Sequence, residues 1–394
     1  MYDKIKNVAI IGTGIMGREI AQVVLMGGYN VHLYDVNEKM TEKALLFLEK
    51  SFRSLETKNR LPQGISTNQL LERIQKSSII NNAVKNADLV IEAIPENMKL
   101  KQQLFEKLSN IVSEHTILAS NTSNMPITEI ALKSTKPERI VGMHFFIPII
   151  LLQAIELIKG KKTSKDTFKV GDRFLKSLPC LRGKRKIIKI EKERPGFVIN
   201  RITAASSIYL NWLLNECEKK EGLSYEMVDA DIVALQGGLG PYAKWDYLGL
   251  DVIYASFNYF AEELSKDFTP AKKLKQLVQQ GDLGRKTGKG FYKWTANEKP
   301  LMDLEEKADL FDLEIFMAIQ LNEACRLLEE NVMDTYKEID KAVVAGMNMP
   351  GPFSMGKRKF KEWSALLESF SKTSDLAYLK PCKTLKEGLF LEKK

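Results

Sequence analysis

Residues 6–17, Lys-Asn-Val-Ala-Ile-Ile-Gly-Thr-Gly-Ile-Met-Gly, decide the fold. A short apolar run ends in closely spaced glycines, and residues 14–27 then carry helical periodicity up to Gly27-Gly28. A second apolar run, Val31 to Asp35, follows. Strand, helix and strand within about thirty residues make a βαβ unit, so the sheet is parallel with helices on its faces. The alternation continues with a helix from Glu38 to about Lys58, a strand at Asp88–Ala93, a helix at Lys99–Ser113 and a strand at Thr116–Ser120. Further strands are predicted near Arg139–Met143 and Gln153–Ile158. Beyond Pro195 the pattern turns helical. The predicted fold is therefore an α/β N-terminal Rossmann domain with a mostly parallel sheet, followed by an all-α C-terminal region.

Within that opening unit, Gly12, Thr13, Gly14, Ile15, Met16 and Gly17 match G-x-G-x-x-G between a strand and a helix, and Asp35 closes the next strand. The context matters more than the glycines, which alone are a weak signal. Gly12 permits the tight turn, Gly14 lets a pyrophosphate approach the backbone, and Gly17 lets helix and strand pack closely. Free N–H groups at the helix start meet the phosphates. Asp35 can accept from ribose hydroxyls and repels a 2′-phosphate, which favours NAD over NADP; FAD is the lesser alternative.

The helical region contains an internal echo. Leu214-Asn215-Glu216, Val228-Asp229 and Gly240-Pro241 are matched by Leu321-Asn322-Glu323, Ile339-Asp340 and Gly351-Pro352, with one four-residue insertion. A duplication is predicted, giving residues 1–193 for the NAD-binding domain and two related helical repeats at 194–298 and 299–394.

Composition narrows the partners. Lys and Arg number 59 against 50 Asp and Glu, a net charge of +9. The basic residues are dispersed apart from Lys159–Lys162 and Gly183–Arg194, which read as solvated faces, and no nucleic-acid-binding motif accompanies them. An anionic small molecule is the more economical use of the charge. Four scattered cysteines form no Cys-x-x-Cys pair, so free thiols and no metal are expected. No stretch of eighteen apolar residues occurs and the chain start leaves no room for a signal peptide, so no membrane span and a cytoplasmic location are expected.

Only three histidines are present. His144 lies in Gly-Met-His-Phe-Phe-Ile-Pro (142–148), with Asn121-Thr122-Ser123 upstream and Glu156 downstream. An imidazole near its carboxylate reads as a general base with its orienting partner. Together with Asp-Leu-Val-Ile-Glu-Ala-Ile-Pro-Glu-Asn (88–97), Ala-Ser-Asn-Thr-Ser (119–123) and Pro-Gly-Phe-Val-Ile-Asn-Arg (195–201), this segment closely resembles L-3-hydroxyacyl-CoA dehydrogenases. The resemblance runs from residue 1 to about 295 and weakly beyond.

The resemblance implies NAD-dependent, reversible oxidation of a 3-hydroxyacyl-CoA, with His144 as base, Glu156 as its partner, and Ser123 and Asn200 positioning substrate. It implies Glu96, Lys101 and Ser123 beside the nicotinamide ribose, and Ser51, Lys58 and Lys101 on the CoA moiety of an acyl-CoA partner. Single-copy relatives dimerise through the helical domain, so either a monomer with an internal pseudo-dimer or a homodimer is implied. One departure stands out: the family usually has Asn where this chain has Ile147. A β-branched residue packed in the core is one reading of it; altered acyl preference or weakened turnover is the other. A sugar-acid dehydrogenase of the same superfamily and an NAD-binding protein that has lost turnover are the competing functions.

Overall fold

The computed structural model describes residues 5–295, 300 and 303–393. The chain divides into two compact units, Met1–Ile199 with Asn331–Gly351, and Asn200–Glu330 with Pro352–Lys394.

The first unit is built on eight strands: β1 Asn7–Ile11, β2 Asn30–Tyr34, β3 Ile74–Lys76, β4 Leu89–Glu92, β5 Ile117–Ser120, β6 Ile140–Phe145, β7 Ala154–Ile158 and β8 Lys186–Ile190. They lie in the order β3-β2-β1-β4-β5-β6-β7-β8. Every neighbouring pair is parallel except β6 and β7. The central strands are buried along nearly their whole length, as parallel strands covered on both faces must be. Helices α1 Ile15–Met26, α2 Glu38–Thr57, α3 Met98–Ile111 and α4 Lys165–Ser177 belong to this unit. Strand order reverses between β1 and β4, and the crevice at their carboxyl ends is where such sheets bind ligands.

Two strands, one long helix and the short helices Thr67–Leu71, Ile80–Val84 and Ile127–Ile130 were not anticipated. β3 is three residues with a single apolar one, too short for an alternation to register. β8, Lys-Ile-Ile-Lys-Ile, falls inside the basic stretch 183–194 read as a solvated face. That reading holds for Lys186 and Lys189, which are exposed, but Ile188 and Ile190 are buried on the sheet. The lysines guard an edge strand. α4 is amphipathic, buries Phe168, Val170, Phe174 and Leu175, and starts at a Ser164 cap.

The second unit is helical: α5 Ile199–Lys219 (its first residue in unit one), α6 Tyr225–Gln236, α7 Pro241–Leu248, α8 Leu250–Glu263, α9 Lys272–Gln279, α10 Leu313–Glu329, and, after α11 Tyr336–Met347 of the first unit, α12 Pro352–Gly356, α13 Phe360–Thr373 and α14 Lys383–Glu387. The two copies repeat hydrogen bonds as well as helices. Asn211 Nδ2 donates to the Thr269 carbonyl and its Oδ1 accepts from the Ala271 N–H; Asn322 does the same with Lys380 and Cys382. Gly240 sits so close to Asp229 that a Cβ would lie 2.2 Å from Cγ, and Gly351 stands to Asp340 in the same way at 2.3 Å. All these pairs share one offset: 322 from 211, 340 from 229, 351 from 240 and 382 from 271 each differ by 111. The first sequence anchor was therefore one turn out. Asn322 corresponds to Asn211 rather than Asn215, and no insertion is needed; four residues along a helix return to nearly the same face, which made the shifted match plausible.

α11 contacts β7 and β8 of the sheet. Gly346 makes that approach possible, since a Cβ there would lie 2.4 Å from Ile199 Cδ1 and 3.2 Å from Ala154 Cβ. Among the described residues, no helix is long and apolar enough to cross a membrane.

Candidate active site

The glycine loop is shaped by three distinct needs. Gly12 has φ +93° and a Cβ on it would meet the Ala93 carbonyl at 2.6 Å. At Gly17 a Cβ would fall 1.8 Å from the Gly12 carbonyl oxygen. A Cβ on Gly14 would meet nothing within 4 Å, so its face is open. Gly14 is also the N-cap of α1, with no capping side chain and no acid in the first turn. An uncapped, open helix start offers free N–H donors to an anion, and the residues therefore fit a dinucleotide pyrophosphate. Asp35 holds the loop from the next strand: Oδ2 accepts from the Thr13 N–H at 2.8 Å and from its hydroxyl, and Oδ1 accepts from Asn37 N–H. Three of roughly four accepting directions are used, leaving Oδ1 able to take a ribose hydroxyl. Thr13 is buried, Met16 packs on the core and Ile15 is exposed at the loop.

A cleft of about 290 Å³ adjoins Asp35, lined in part by Lys76, Ser77, Ile79 and Asn82. Sequence reasoning missed these residues because it missed β3, which carries Lys76 and leads into the segment that holds the others.

His144 and Glu156 are directly opposed in the one antiparallel pair of the sheet. Opposed residues in such a pair project to the same face, so the register itself brings imidazole and carboxylate together. His144 Nδ1 lies 2.7 Å from Glu156 Oε2. The other carboxylate oxygen accepts from the backbone N–H groups of Val198 and Ile199, at 3.1 and 2.9 Å. An ionised carboxylate can only accept, so Nδ1 carries a hydrogen, and a neutral imidazole held this way presents its lone pair on Nε2. Both residues are buried, His144 at 4% exposure and Glu156 at none. Phe146 and Phe197 flank the ring, with centroids 4.3 and 6.1 Å away. This is a fixed tautomer in an apolar setting, the form a proton acceptor needs.

Ser123 is brought to the same end of the sheet. Asn121, two residues before it, accepts the Phe145 N–H at 2.9 Å and ties the loop after β5 to the His144 strand. Glu96 accepts from the Ser123 N–H and the Thr122 hydroxyl, pinning the loop from the other side. Asn200 is the first residue of the second unit, next in the chain after Ile199.

Lys101 is found elsewhere than on an exposed phosphate-binding surface. It is 1% exposed, and its ammonium lies 2.5 Å from Glu92 Oε1, 3.2 Å from Glu96 Oε2 and 3.4 Å from the Ile94 carbonyl. Its three donors are thereby engaged, which turns it inward toward the carboxylates. Burial alone would lower its pKa, but Glu92 and Glu96 outweigh that and hold it above the ordinary lysine value. Glu92, which also accepts from the Ser120 hydroxyl at 2.6 Å, was not singled out from sequence. The signal was present: a carboxylate closing the apolar run Asp-Leu-Val-Ile-Glu must find a cation when buried. Ser51 is half-buried and accepts from Gln22 at 2.6 Å, while Lys58 is exposed at the end of α2.

Ile147 lies outside β6 and is 45% exposed, so the core-packing reading of it is wrong: β6 ends at Phe145 and the chain turns before this side chain can be covered.

An open glycine cradle with Asp35 beside it, and an oriented histidine in the same sheet, fit an NAD-linked dehydrogenase. Two family models match the chain, 3-hydroxyacyl-CoA dehydrogenase, NAD binding domain over residues 7–187 and 3-hydroxyacyl-CoA dehydrogenase, C-terminal domain over residues 196–294. The mitochondrial hydroxyacyl-coenzyme A dehydrogenase of Rattus norvegicus is 34% identical over 296 residues, 74% of this chain and 91% of the relative. The 3-hydroxybutyryl-CoA dehydrogenase of Clostridioides difficile is 33% identical over 292 residues, 73% of this chain and 98% of the relative. Among solved structures, the (S)-3-hydroxybutyryl-CoA dehydrogenase of Ralstonia eutropha matches with a TM-score of 0.64 at 33% identity, covering 74% of this chain and all of that one. A 3-hydroxybutyryl-CoA dehydrogenase of Escherichia coli shares the fold over 99% of both chains, with a TM-score of 0.81 at 23% identity. The chain belongs to the 3-hydroxyacyl-CoA dehydrogenase family.

Proposed function

We propose that this protein catalyses the reversible oxidation of an L-3-hydroxyacyl-CoA to the 3-ketoacyl-CoA. NAD, when bound, accepts the hydride from C3. The observation that carries the reading is the opposed pair on β6 and β7, which holds His144 with Nδ1 on Glu156 and Nε2 free. Nε2 takes the proton of the C3 hydroxyl as the hydride leaves, and Glu156 stabilises the imidazolium that results. In the reverse direction the same nitrogen returns the proton. Ser123 and Asn200 hold the hydroxyl and thioester oxygens, which fixes C3 for transfer. Glu96, kept in place by Lys101, orients the loop carrying Ser123 and meets the nicotinamide ribose. Ser51 and Lys58 serve the CoA moiety.

The accompanying domain reading gives NAD to residues 1–193 and makes 194–298 and 299–394 two copies of one helical module. The shared offset of 111 residues supports the duplication. Within the second unit, Tyr209 and Trp212 of the first copy pack edge-on against Phe370 of the second, and Asp231 accepts from the N–H groups of Asp309 and Leu310. The second copy thus covers a face of the first, and a monomer is proposed.

The test is oxidation of NADH by purified protein with 3-ketoacyl-CoAs of three chain lengths, acetoacetyl-CoA at C4 and its C8 and C16 homologues. Turnover supports the assignment. Turnover only of a sugar acid, or NAD binding with no turnover of either substrate, removes it.

A further inference from the structure

Arg18 has no role in the mechanism above, and its setting is unusual. It stands one residue past Gly17 on α1, half-buried, with its guanidinium 4.4 Å from the ring centroid of Phe47 on α2. Its Nε is cut off from water and has no hydrogen-bond partner, and among the described residues no carboxylate pairs with it. An arginine so placed keeps its charge and gives up part of its hydration. The aromatic ring recovers some of that loss and fixes the plane of the guanidinium. A fork of donors held flat and unpaired is suited to a planar or tetrahedral oxyanion.

The neighbouring face of α2 has the same character. Lys43, Phe47, Ser51 and Lys58 are spaced by 4, 4 and 7 residues, which keeps them within one helical face. Neither Lys43 nor Lys58 forms an ion pair among the described residues. One turn further along α1, Gln22 reaches across to Ser51, so the two helices are fastened with Arg18 and Phe47 at one contact and Gln22 and Ser51 at the next. The adjacent acid, Glu19, is committed elsewhere, accepting the Ile149 N–H at 2.9 Å. What results is a run of unneutralised cations beside the glycine loop, with the ring-stacked Arg18 at the end nearest the glycines.

We infer that Arg18, stacked on Phe47, is a substrate-binding residue that grips a phosphate of the acyl-CoA, with Lys43 and Lys58 continuing the contact along α2. The inference rests on the acyl-CoA reading of the function. It assigns Arg18 to affinity and leaves the chemical step to His144.

The experiment compares the full-length protein with R18Q and R18K, using acetoacetyl-CoA and acetoacetyl-pantetheine, which carries the same reacting group and arm but no phosphate. Equilibrium binding by calorimetry and steady-state KM are both read. R18Q should weaken acetoacetyl-CoA about tenfold, the size of one lost charge-assisted hydrogen bond, with kcat nearly unchanged. R18K should recover part of the loss, and acetoacetyl-pantetheine should bind all three proteins alike. Equal weakening toward both thioesters, no weakening toward either, or a matching loss of NADH affinity overturns the assignment. A melting temperature measured on each variant separates a folding defect from a binding one, because misfolding would affect both thioesters. If the wild type binds acetoacetyl-CoA and R18Q does not, yet neither turns it over, the functional reading fails while the role of Arg18 stands.

Discussion

His144 shows how far single residues carry the function. Replacing it by glutamine keeps a polar side chain on β6 but removes the proton acceptor, so kcat should fall by about 10²- to 10⁴-fold. NADH affinity should change little, because the glycine cradle and Asp35 are untouched; near-normal turnover would exclude His144 as the base. Ile147 makes a second test. Exposed three residues beyond the histidine, it presents a branched apolar surface where the family usually has an amide. Ile147→Asn is expected to shift kcat/KM between C4, C8 and C16 substrates by about one to two methylene equivalents, roughly tenfold, and an identical profile would remove Ile147 from substrate selection. At this scale the sequence was legible where chemistry is local: a glycine pattern, or a histidine among apolar residues. It was less so for Lys101, because spacing alone does not say whether a lysine faces phosphate or a buried carboxylate. Glu92, which decides the matter, sits on another element.

Strands were readable in proportion to their length and burial. The central strands declared themselves as apolar runs, whereas β3 and β8 did not, since edge strands keep charges that break the pattern. The antiparallel register of β6 and β7, on which the His144–Glu156 pair depends, is not written in either strand; it follows from the short reversal between them. Between α5 and α10 lies a buried charge group that sequence gave no reason to expect. Glu323, fully buried, accepts from Arg201 at 2.5 Å, from Arg326 at 2.9 Å and from the Tyr378 hydroxyl at 2.9 Å. Burial pushes its carboxyl up, but Arg201 and Arg326 outweigh it and hold the group below the usual carboxylate range. A depressed folded-state pKa contributes stability above the unfolded value of about 4.3, and the contribution disappears as pH falls through the folded value. Glu323→Gln, which removes the buried anion shared by Arg201 and Arg326 and leaves Arg201 paired only with the part-exposed Glu330, should cost about 3 kcal/mol near pH 7. In urea titrations the gap from wild type should narrow steadily below about pH 4. A gap independent of pH would mean that Glu323 acts through packing alone.

For the whole molecule, the duplication has a measurable consequence. If the second copy covers the face through which single-copy relatives associate, sedimentation equilibrium at micromolar concentration should return the mass of one chain. A stable two-chain mass would show that another surface pairs. The division into units, though, does not follow the repeat boundaries that sequence suggests, because α11 falls within residues 299–394 in sequence and in the sheet-bearing unit by contact. It lies over β7, the strand that carries Glu156, with Gly346 giving the clearance. Trimming this chain near residue 295 to imitate its shorter relatives would therefore not remove a spare appendage. It would unroof the strand that carries Glu156, so a shortened version must keep a helix that begins some forty residues past that cut, or supply another in its place.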